Sequence, residues 1–177
     1  LEFNLDQYKE LQNYSNDLGT IFFATAFDFK SADFLQNLDV PAFKIASGDL
    51  KNLPLINYLA DFGKPLIIST GGGYQEDIDR VVESLENKKS PYSILQCTAG
   101  YPPAWNELNL GVISTLRSKF PNPVIGFSSH DNGIAMSVAA YALGARIIEK
   151  HFTLNRTLKG TDHAFSLEPQ GLSKLVR

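Results

Sequence analysis

The sequence predicts an α/β protein: a partial (β/α)8 TIM barrel of about six βα units, whose parallel strands correspond to strands 3–8 of a complete barrel. Short apolar runs recur about one βα unit apart. Each run except the last is followed by a polar or glycine-containing turn and then a helical pattern. The runs are continuously apolar, as in parallel strands that are covered on both faces. Periodicity alone does not exclude a doubly wound sheet, but six successive units favour the barrel.

The elements can be assigned in chain order. A helical pattern over residues 6–18 comes first and is assigned to the helix that precedes strand three. Later helices are indicated over residues 76–87, 110–120 and 133–144, where apolar side chains recur with the helical period, and another begins at residue 170. Prolines precede four of the strands and end the preceding helices. The predicted strands cover residues 21–25, 43–47, 65–70, 92–98, 124–128 and 146–152.

Length and composition fit one domain with a substantial core. The chain has 177 residues, of which 44% are hydrophobic and 20% charged, which is ordinary for a globular protein. A net charge of -3 without a basic block gives no sign of a nucleic-acid or membrane partner. The single cysteine, Cys97, cannot form an internal disulfide, and no signal-peptide pattern is present. We therefore expect a cytoplasmic protein in which Cys97 is a core thiol.

Two histidines stand at the ends of neighbouring predicted strands. His130 follows the strand over residues 124–128, and His151 lies near the end of the next strand. Because parallel strands of a βαβ unit end at the same edge of the sheet, where barrels place their chemistry, we expect the two imidazoles to lie together. Histidine is the commonest metal ligand, so the pair predicts a metal site. The alternative is that each histidine is a hydrogen-bonded structural residue.

Further polar side chains belong to the same carboxyl face. Lys44 lies inside an apolar strand, and a buried lysine is normally paired or functional. Hydroxyl groups, backbone amides and a lysine suit a phosphate or carboxylate ligand, whereas carboxylates and histidines suit a divalent metal and proton transfer. The hydroxyl groups are those of Thr25, Ser47, Ser69 and Ser128, and the remaining polar side chains at this face include Asp49, Tyr101, Asp162 and His163.

Several segments, in the right order and spacing, carry a family resemblance. They are FKIASGD from residue 43, ISTG from 68, LQCT from 95 with YP at 101, GFSSH from 126, EKHFTL from 149, DH at 162 and SLEP from 166. With these segments the chain resembles the sialic acid synthase (NeuB-like) family, whose members make N-acetylneuraminate and related nonulosonates such as legionaminate and pseudaminate. The resemblance covers essentially the whole chain.

The resemblance implies a TIM-barrel transferase. Such an enzyme condenses phosphoenolpyruvate with an N-acetylmannosamine-type sugar, or its 6-phosphate, and releases phosphate. A divalent metal is also implied, most often Mn²⁺, with Mg²⁺ or Co²⁺ as alternatives, bound by His130 and His151. Positions that hold phosphoenolpyruvate in the family correspond to Thr25, Lys44, Ser47, Ser69 and Ser128, and sugar-side positions correspond to Asp49, Tyr101 and Asp162.

Two of these positions carry catalytic roles in the resemblance. Lys44 would orient the phosphate and carboxylate of phosphoenolpyruvate, which is mainly a proximity effect. Asp49 would move a proton, at a position where many family members have glutamate. Since aspartate is one methylene shorter, the carboxylate chemistry is kept but the reach of the side chain is reduced.

The family also has parts that nothing in this sequence matches. These are the first two barrel strands, with another glutamate and further polar contacts, and a small C-terminal antifreeze-like domain. In the family that domain supplies an arginine to the partner subunit's sugar site in a domain-swapped homodimer. We therefore expect residues 1–177 to be a single catalytic-barrel fragment that is poorly active by itself.

Two other functions remain open from the residues alone. One is a class I aldolase in which Lys44 forms a Schiff base with a carbonyl substrate. The other is a sugar- or phosphate-binding protein without catalysis. A phosphoenolpyruvate-dependent synthase that acts on a different sugar is also compatible with the sequence.

Overall fold

A computed structural model describes residues 3–177, in which seven α-helices alternate with five β-strands. The strands are β1 (Phe43–Ile45), β2 (Leu66–Ser69), β3 (Tyr92–Cys97), β4 (Val124–Ser129) and β5 (Ile147–Lys150). The helices are α1 (Leu5–Asp17), α2 (Phe29–Asn37), α3 (Leu53–Ala60), α4 (Gln75–Lys88), α5 (Gly111–Lys119), α6 (Ala135–Ala142) and α7 (Pro169–Val176). Single 3₁₀ turns cover Ser47–Asp49 and Trp105–Glu107.

The five strands form one parallel sheet in the order β1-β2-β3-β4-β5. An order that never reverses, with right-handed connections, places the connecting helices on one face of the sheet. In a flat sheet β1 and β5 would lie about 19 Å apart. The side chains of Lys44 on β1 and Glu149 on β5 nevertheless approach to 3.5 Å, so the sheet is curled. The sheet is thus half of a (β/α) barrel, which confirms the predicted fold class.

The core lies between the outer face of this sheet and the helices. Strand side chains alternate between the two faces, and those of Phe43, Ile45 and Ile68 are completely or almost completely buried on the outer face. Leu59 of α3 and Leu85 of α4 belong to the same buried cluster. The inner face is therefore left to other side chains, and these include most of the predicted site residues.

The number of strands differs from the prediction. The run over residues 21–25 is not a strand: it makes a single parallel bridge between Thr25 and Lys44. Ile21 is 73% exposed, and the backbone bond from Lys44 N–H to the Ala24 carbonyl is long, at 3.4 Å. This run lies at the edge of the sheet and is held from one side only, so the predicted six strands are corrected to five.

The helices agree with the sequence patterns to within about two residues. Local capping explains several of their starts: Asn4 and Asp28 accept backbone hydrogen bonds at the N-termini of α1 and α2, and Asn52 does so for α3. These caps satisfy N–H groups that have no partner inside the helix. None of the helices within residues 3–177 is long and apolar enough to cross a membrane.

Candidate active site

A polar cluster lies on the inner face of the sheet. The Lys44 ammonium donates to Ser69 Oγ at 2.8 Å and to the Ile45 carbonyl at 2.8 Å, and Glu149 Oε2 lies 3.5 Å from it. Ser128 Oγ donates to Glu149 Oε1 at 3.1 Å. We call these four residues, Lys44, Ser69, Ser128 and Glu149, the Lys44 cluster. The cluster joins β1, β2, β4 and β5, and three of its members were predicted as site residues from the sequence.

Burial dominates the electrostatics of this cluster. Lys44 is only 8% exposed, and burial lowers the pKa of its ammonium, an effect that the nearby Glu149 carboxylate opposes. A buried ammonium needs an anionic partner. Glu149 supplies that charge from one side, and its own side chain is 40% exposed. The cluster therefore combines a buried cation and two hydroxyl groups with a partly exposed carboxylate.

Ser47 and Thr25 lie beside the cluster in different ways. Ser47 Oγ accepts a hydrogen bond from Gly71 N–H at 2.9 Å, which ties the turn after β1 to the turn after β2. A Cβ atom on Gly71 would lie 2.9 Å from Ser47 Oγ and 3.1 Å from Cys97 Sγ. The Ser47 hydroxyl is therefore close to the inner face, where Cys97 is the register partner of Ser128. Thr25 is placed next to Lys44 by its backbone bridge.

The two histidines meet at the carboxyl ends of β4 and β5, as predicted. Their ring centroids are 5.1 Å apart and the rings are nearly perpendicular. Since Ser128 and Glu149 are register partners on the inner face, the alternation of side chains puts His130 and His151, two residues later in each strand, on that face too. The imidazoles and the Lys44 cluster thus face the same space.

The Nδ1 atom of each histidine faces an oxygen atom. His130 Nδ1 lies 3.1 Å from the Thr98 carbonyl, to which it can only donate, and His151 Nδ1 lies 3.6 Å from Asp162 Oδ2. A neutral His130 that donates from Nδ1 to the Thr98 carbonyl has an unprotonated Nε2. Burial also lowers the pKa of His130, which favours its neutral form.

The donor set of the pair is small. Within residues 3–177, no group of three or more His, Cys, Asp or Glu side chains is placed to hold a metal ion. Two imidazole nitrogens fit the N/O preference of Mn²⁺, Mg²⁺ or Co²⁺ only in part, since these ions take further oxygen ligands. The pair therefore fits a metal that also binds water or substrate.

An aromatic wall surrounds the histidines. The Tyr101 ring stacks on His130 with centroids 4.0 Å apart, and Phe165 packs against His151 at 5.0 Å. Phe165 is buried whereas Tyr101 is 56% exposed, so Tyr101 has one face on the imidazole and the rest in solvent. Burial raises the pKa of Tyr101, which keeps its phenol protonated and able to donate a hydrogen bond.

The remaining predicted residues lie at the edge of the site. Asp49 is on the 3₁₀ turn after β1 and accepts a hydrogen bond from Asn52 at 3.2 Å; among the described contacts, none joins it to Lys44. Asp162 is beside His151, so it lies near the imidazole pair as well as near the predicted sugar side. His163 Nδ1 is 2.7 Å from Thr153 Oγ1, which indicates a structural role in its loop.

Glu149 is the residue that sequence reasoning did not single out. Its signal was available: it stands two residues before His151, so on a strand both side chains must share one face. What the sequence could not supply was the curl of the sheet, which brings β5 across to Lys44 on β1.

Comparisons with known proteins give a consistent result. A model of the NeuB family matches residues 1–177. The chain is 45% identical over 177 residues to N-acetylneuraminate-9-phosphate synthase of Mus musculus, covering 100% of this chain and 49% of that protein. It is 41% identical over 178 residues to N,N'-diacetyllegionaminic acid synthase of Campylobacter jejuni, covering 99% of this chain and 53% of that protein. The chain thus spans about half the length of these curated relatives.

A solved structure supports the fold. The crystal structure of N-acetylneuraminic acid synthetase from Leptospira borgpetersenii in complex with citrate superimposes with a TM-score of 0.96 at 40% sequence identity. The match covers 99% of this chain and 61% of that chain. The half-barrel therefore has a close counterpart in a solved protein.

Proposed function

The chain belongs to the NeuB family, and from this premise we propose that it acts in the condensation of phosphoenolpyruvate with an N-acetylmannosamine-type sugar, or its 6-phosphate. The products are a sialic acid or a related nonulosonate and phosphate. The relatives named as N-acetylneuraminate-9-phosphate and diacetyllegionaminic acid synthases support this reaction class. The observation that carries the proposal is the Lys44 cluster, which faces the same space as the imidazole pair.

The Lys44 cluster has the chemistry that phosphoenolpyruvate requires. The substrate has a carboxylate and a phosphate, and the ammonium of Lys44 with the hydroxyls of Ser69 and Ser128 can bind such oxygens by charge-assisted hydrogen bonds. Ser47 and Thr25 border the cluster and can extend these contacts. Glu149 holds Lys44 in place when no anion is bound, and its exposed side can turn toward solvent when one enters.

His130 and His151 are the residues that would hold a divalent metal, for which Mn²⁺ is the proposed ion. A bound metal supplies Lewis acidity for the carbonyl oxygen of an open-chain sugar. The two residues would bind it through Nε2, because His130 Nδ1 lies 3.1 Å from the Thr98 carbonyl and His151 Nδ1 lies 3.6 Å from Asp162 Oδ2. Tyr101 is stacked on His130 and largely exposed, and it is the proposed contact to the sugar.

The proposed reaction balances as follows. The enol double bond of phosphoenolpyruvate supplies the electron pair by which its C3 attacks the sugar aldehyde, and the resulting alkoxide takes a proton. Water adds at C2 and loses one proton, and the tetrahedral adduct then expels phosphate by cleavage of the C2–O(phosphate) bond, while its C2 hydroxyl gives the second proton to the departing phosphate and becomes the ketone. The residues of this chain bring the reactants together, which is a proximity contribution, and a carboxylate, for which Asp49 is the proposed group, moves the proton.

Removing the Lys44 ammonium tests the proposal. We expect Lys44→Met to lower kcat/KM for phosphoenolpyruvate about 100-fold or more, because it removes the buried cation that faces the anionic substrate. The measurement, made on the whole protein, is phosphate released in the presence of N-acetylmannosamine or its 6-phosphate and Mn²⁺. Lys64→Met is the matched control, since Lys64 pairs with the exposed Asp39 at the surface. Full activity of Lys44→Met would contradict the proposal.

A class I aldolase is a second candidate function, and one observation favours it. Burial lowers the pKa of Lys44, and a neutral amine is the form that attacks a carbonyl. Two experiments distinguish the functions. Borohydride with a carbonyl substrate would label Lys44 in an aldolase. A chelator would abolish the activity of the metal-dependent synthase. In the synthase Lys44 stays unlabelled.

For the whole protein we also propose a homodimer in the cytoplasm. The family resemblance supports a domain-swapped arrangement in which a C-terminal domain of one subunit reaches the sugar site of the other. Light scattering of the purified protein measures the number of subunits directly. A monomer at all concentrations would contradict this assembly.

A further inference from the structure

We propose that the buried ion pair between Lys150 and Asp131 is a positioning device that sets the distance between His130 and His151. Each member is the immediate neighbour of one histidine in the chain. The inference rests on the proposed function, because it is for a bound metal that the separation of the two imidazoles matters. It concerns residues that make no contact with the Lys44 cluster among the described hydrogen bonds and ion pairs.

The Lys150 ammonium binds the segment around His130. It donates to the Asp131 backbone carbonyl at 2.6 Å and to Asp131 Oδ1 at 3.0 Å, and it reaches Ser129 Oγ at 3.4 Å. Ser129 Oγ also donates to Asp131 Oδ1. All three donors of the ammonium are thereby directed at the residues on either side of His130. A side chain of β5 thus fixes the backbone at the end of β4.

The Lys150–Asp131 contact lies at the end of the backbone pairing between β4 and β5. The last register pair between β4 and β5 is Ser129 with Lys150. His130 and His151 come one residue later, beyond the paired backbone, so their separation depends on what holds the two strand ends together. On the far side, Leu167 N–H donates to the His151 carbonyl at 2.8 Å. The ion pair therefore supplies the link on the side between the two histidines.

The ion pair and the imidazoles lie on opposite faces of the sheet. Side chains alternate, so Lys150 and Ser129 point to the outer face while His130 and His151 point to the inner face. The side chains of Lys150 and Asp131 are 4% and 1% exposed, which excludes solvent from the pair. The device can therefore orient the imidazoles without contacting substrate or metal.

Stability alone does not account for the pair. Burying two charges has a large desolvation cost, and apolar residues of similar volume are often as stabilising or more so. Here one oxygen, Asp131 Oδ2, is buried without a hydrogen-bond partner among the described residues, which adds to that cost. The Lys150–Asp131 pair therefore carries a desolvation cost, yet its hydrogen bonds hold the backbone next to His130. We assign it the role of fixing the position of that backbone.

The test uses the fact that the chain has only three histidines. In ¹⁵N-histidine spectra without metal, we expect Lys150→Met to shift the ring signals of His130 and His151 and to leave His163 unchanged as an internal reference. Mn²⁺ affinity, measured by titration, should fall on the order of tenfold or more. Lys150→Arg, which keeps a cation at this position, should recover most of the affinity.

A matched control separates positioning from general destabilisation. Leu85→Ala opens a cavity at a fully buried position of α4, the helix that connects β2 to β3, and should keep Mn²⁺ affinity within about twofold while it lowers the melting temperature. If Lys150→Met does not fold, Asp131→Asn removes the charge and keeps the shape of the side chain, and the same two signals should move.

The possible results separate the positioning role of the ion pair from the assignment of the histidines as metal ligands. Unchanged His130 and His151 signals in a folded Lys150→Met or Asp131→Asn protein would overturn the positioning role, whatever the metal does. Mn²⁺ affinity that falls equally in Leu85→Ala would overturn it as well. Mn²⁺ binding that survives both His130→Ala and His151→Ala would instead overturn the ligand assignment of the proposed function, while the ring signals would still report on the ion pair.

Discussion

At the scale of single residues, Gly71 determines where the Ser47 hydroxyl lies. Its N–H donates to Ser47 Oγ at 2.9 Å, and a Cβ at this position would lie 2.9 Å from that oxygen and 3.2 Å from the Ala99 backbone nitrogen. The backbone neighbour cannot move aside easily, whereas the serine hydroxyl can rotate. A side chain at position 71 would therefore displace the hydroxyl that borders the Lys44 cluster.

We expect Gly71→Ala to raise KM for phosphoenolpyruvate up to about tenfold, which corresponds to the loss of one hydrogen bond. Gly48→Ala is the control, since a Cβ there has no atom within 4 Å and should leave KM unchanged. If Gly71 acts through Ser47, the double variant Gly71→Ala with Ser47→Ala should be no worse than the poorer single variant. Fully additive effects would exclude this route.

The residues predicted from the sequence are those whose strand position was enough to place them. His130 and His151 were expected to meet because parallel strands end at one edge, and Lys44 was expected to be buried because its neighbours are apolar; the structure agrees on both points. Asp131 was not predicted, and no role in the site was assigned to Glu149 from the sequence. Their roles depend on contacts across the curled sheet or between loops, for which a single sequence has no periodic signal.

At the scale of elements, Asp77 fixes the start of α4. Its Oδ2 accepts a hydrogen bond from Tyr74 N–H at 2.9 Å, Lys51 lies 3.3 Å from the same oxygen, and Arg80 contacts Oδ1. The Tyr74 N–H, with Arg80 and Lys51, lowers the pKa of Asp77 below its ordinary value of 3.8. The charged form is therefore favoured by folding.

We expect Asp77→Asn to lower the melting temperature by a few degrees at neutral pH, because a charged cap is replaced by a neutral one. Since the folded-state pKa is lowered, this contribution is present above the ordinary value of 3.8 and disappears as the pH falls through the lower folded-state pKa. Denaturation of both proteins across this range measures the difference. Asp79→Asn, whose surface pair with Lys119 is 41% exposed on both sides, should have a smaller effect; a difference that persists in acid would contradict the assignment.

Elements differed from their predictions mainly at the edges of the sheet. The central strands have continuous apolar runs and the amphipathic helices have a clear period, and both were placed within a few residues. The run over residues 21–25 has the same apolar composition as a strand but is bridged at one residue only. The pairing of Phe152 with Leu167 was not predicted, because an isolated bridge between a strand end and a loop leaves no apolar run or other pattern in the sequence.

At the scale of the whole molecule, the site connects every part of the sheet except its middle strand. Lys44 comes from β1, Ser69 from β2, Ser128 from β4 and Glu149 from β5. The contact between Lys44 and Glu149 joins the two edges of the half-barrel. A ligand that displaces this contact must itself bind residues of both edge strands. Binding at this site should therefore stabilise the entire fold rather than one loop.

Ligand binding should accordingly appear in global unfolding. A ligand at 100 times its Kd that binds only the folded state adds about 2.7 kcal/mol to the free energy of unfolding, which corresponds to an increase in Tm of about 5–10 °C for a domain of this size.

We expect phosphoenolpyruvate and Mn²⁺ each to raise the Tm measured by circular dichroism. Lys44→Met should lose the shift with phosphoenolpyruvate and keep that with Mn²⁺, because it removes the cation proposed to bind the anion and leaves both histidines in place. His151→Ala should show the opposite pattern, because it removes one of the two proposed metal ligands and leaves the Lys44 cluster intact. Loss of both shifts in both variants would show that each substitution disrupts the half-barrel itself, and a shift with phosphoenolpyruvate that survives in Lys44→Met would place the anion elsewhere on the molecule.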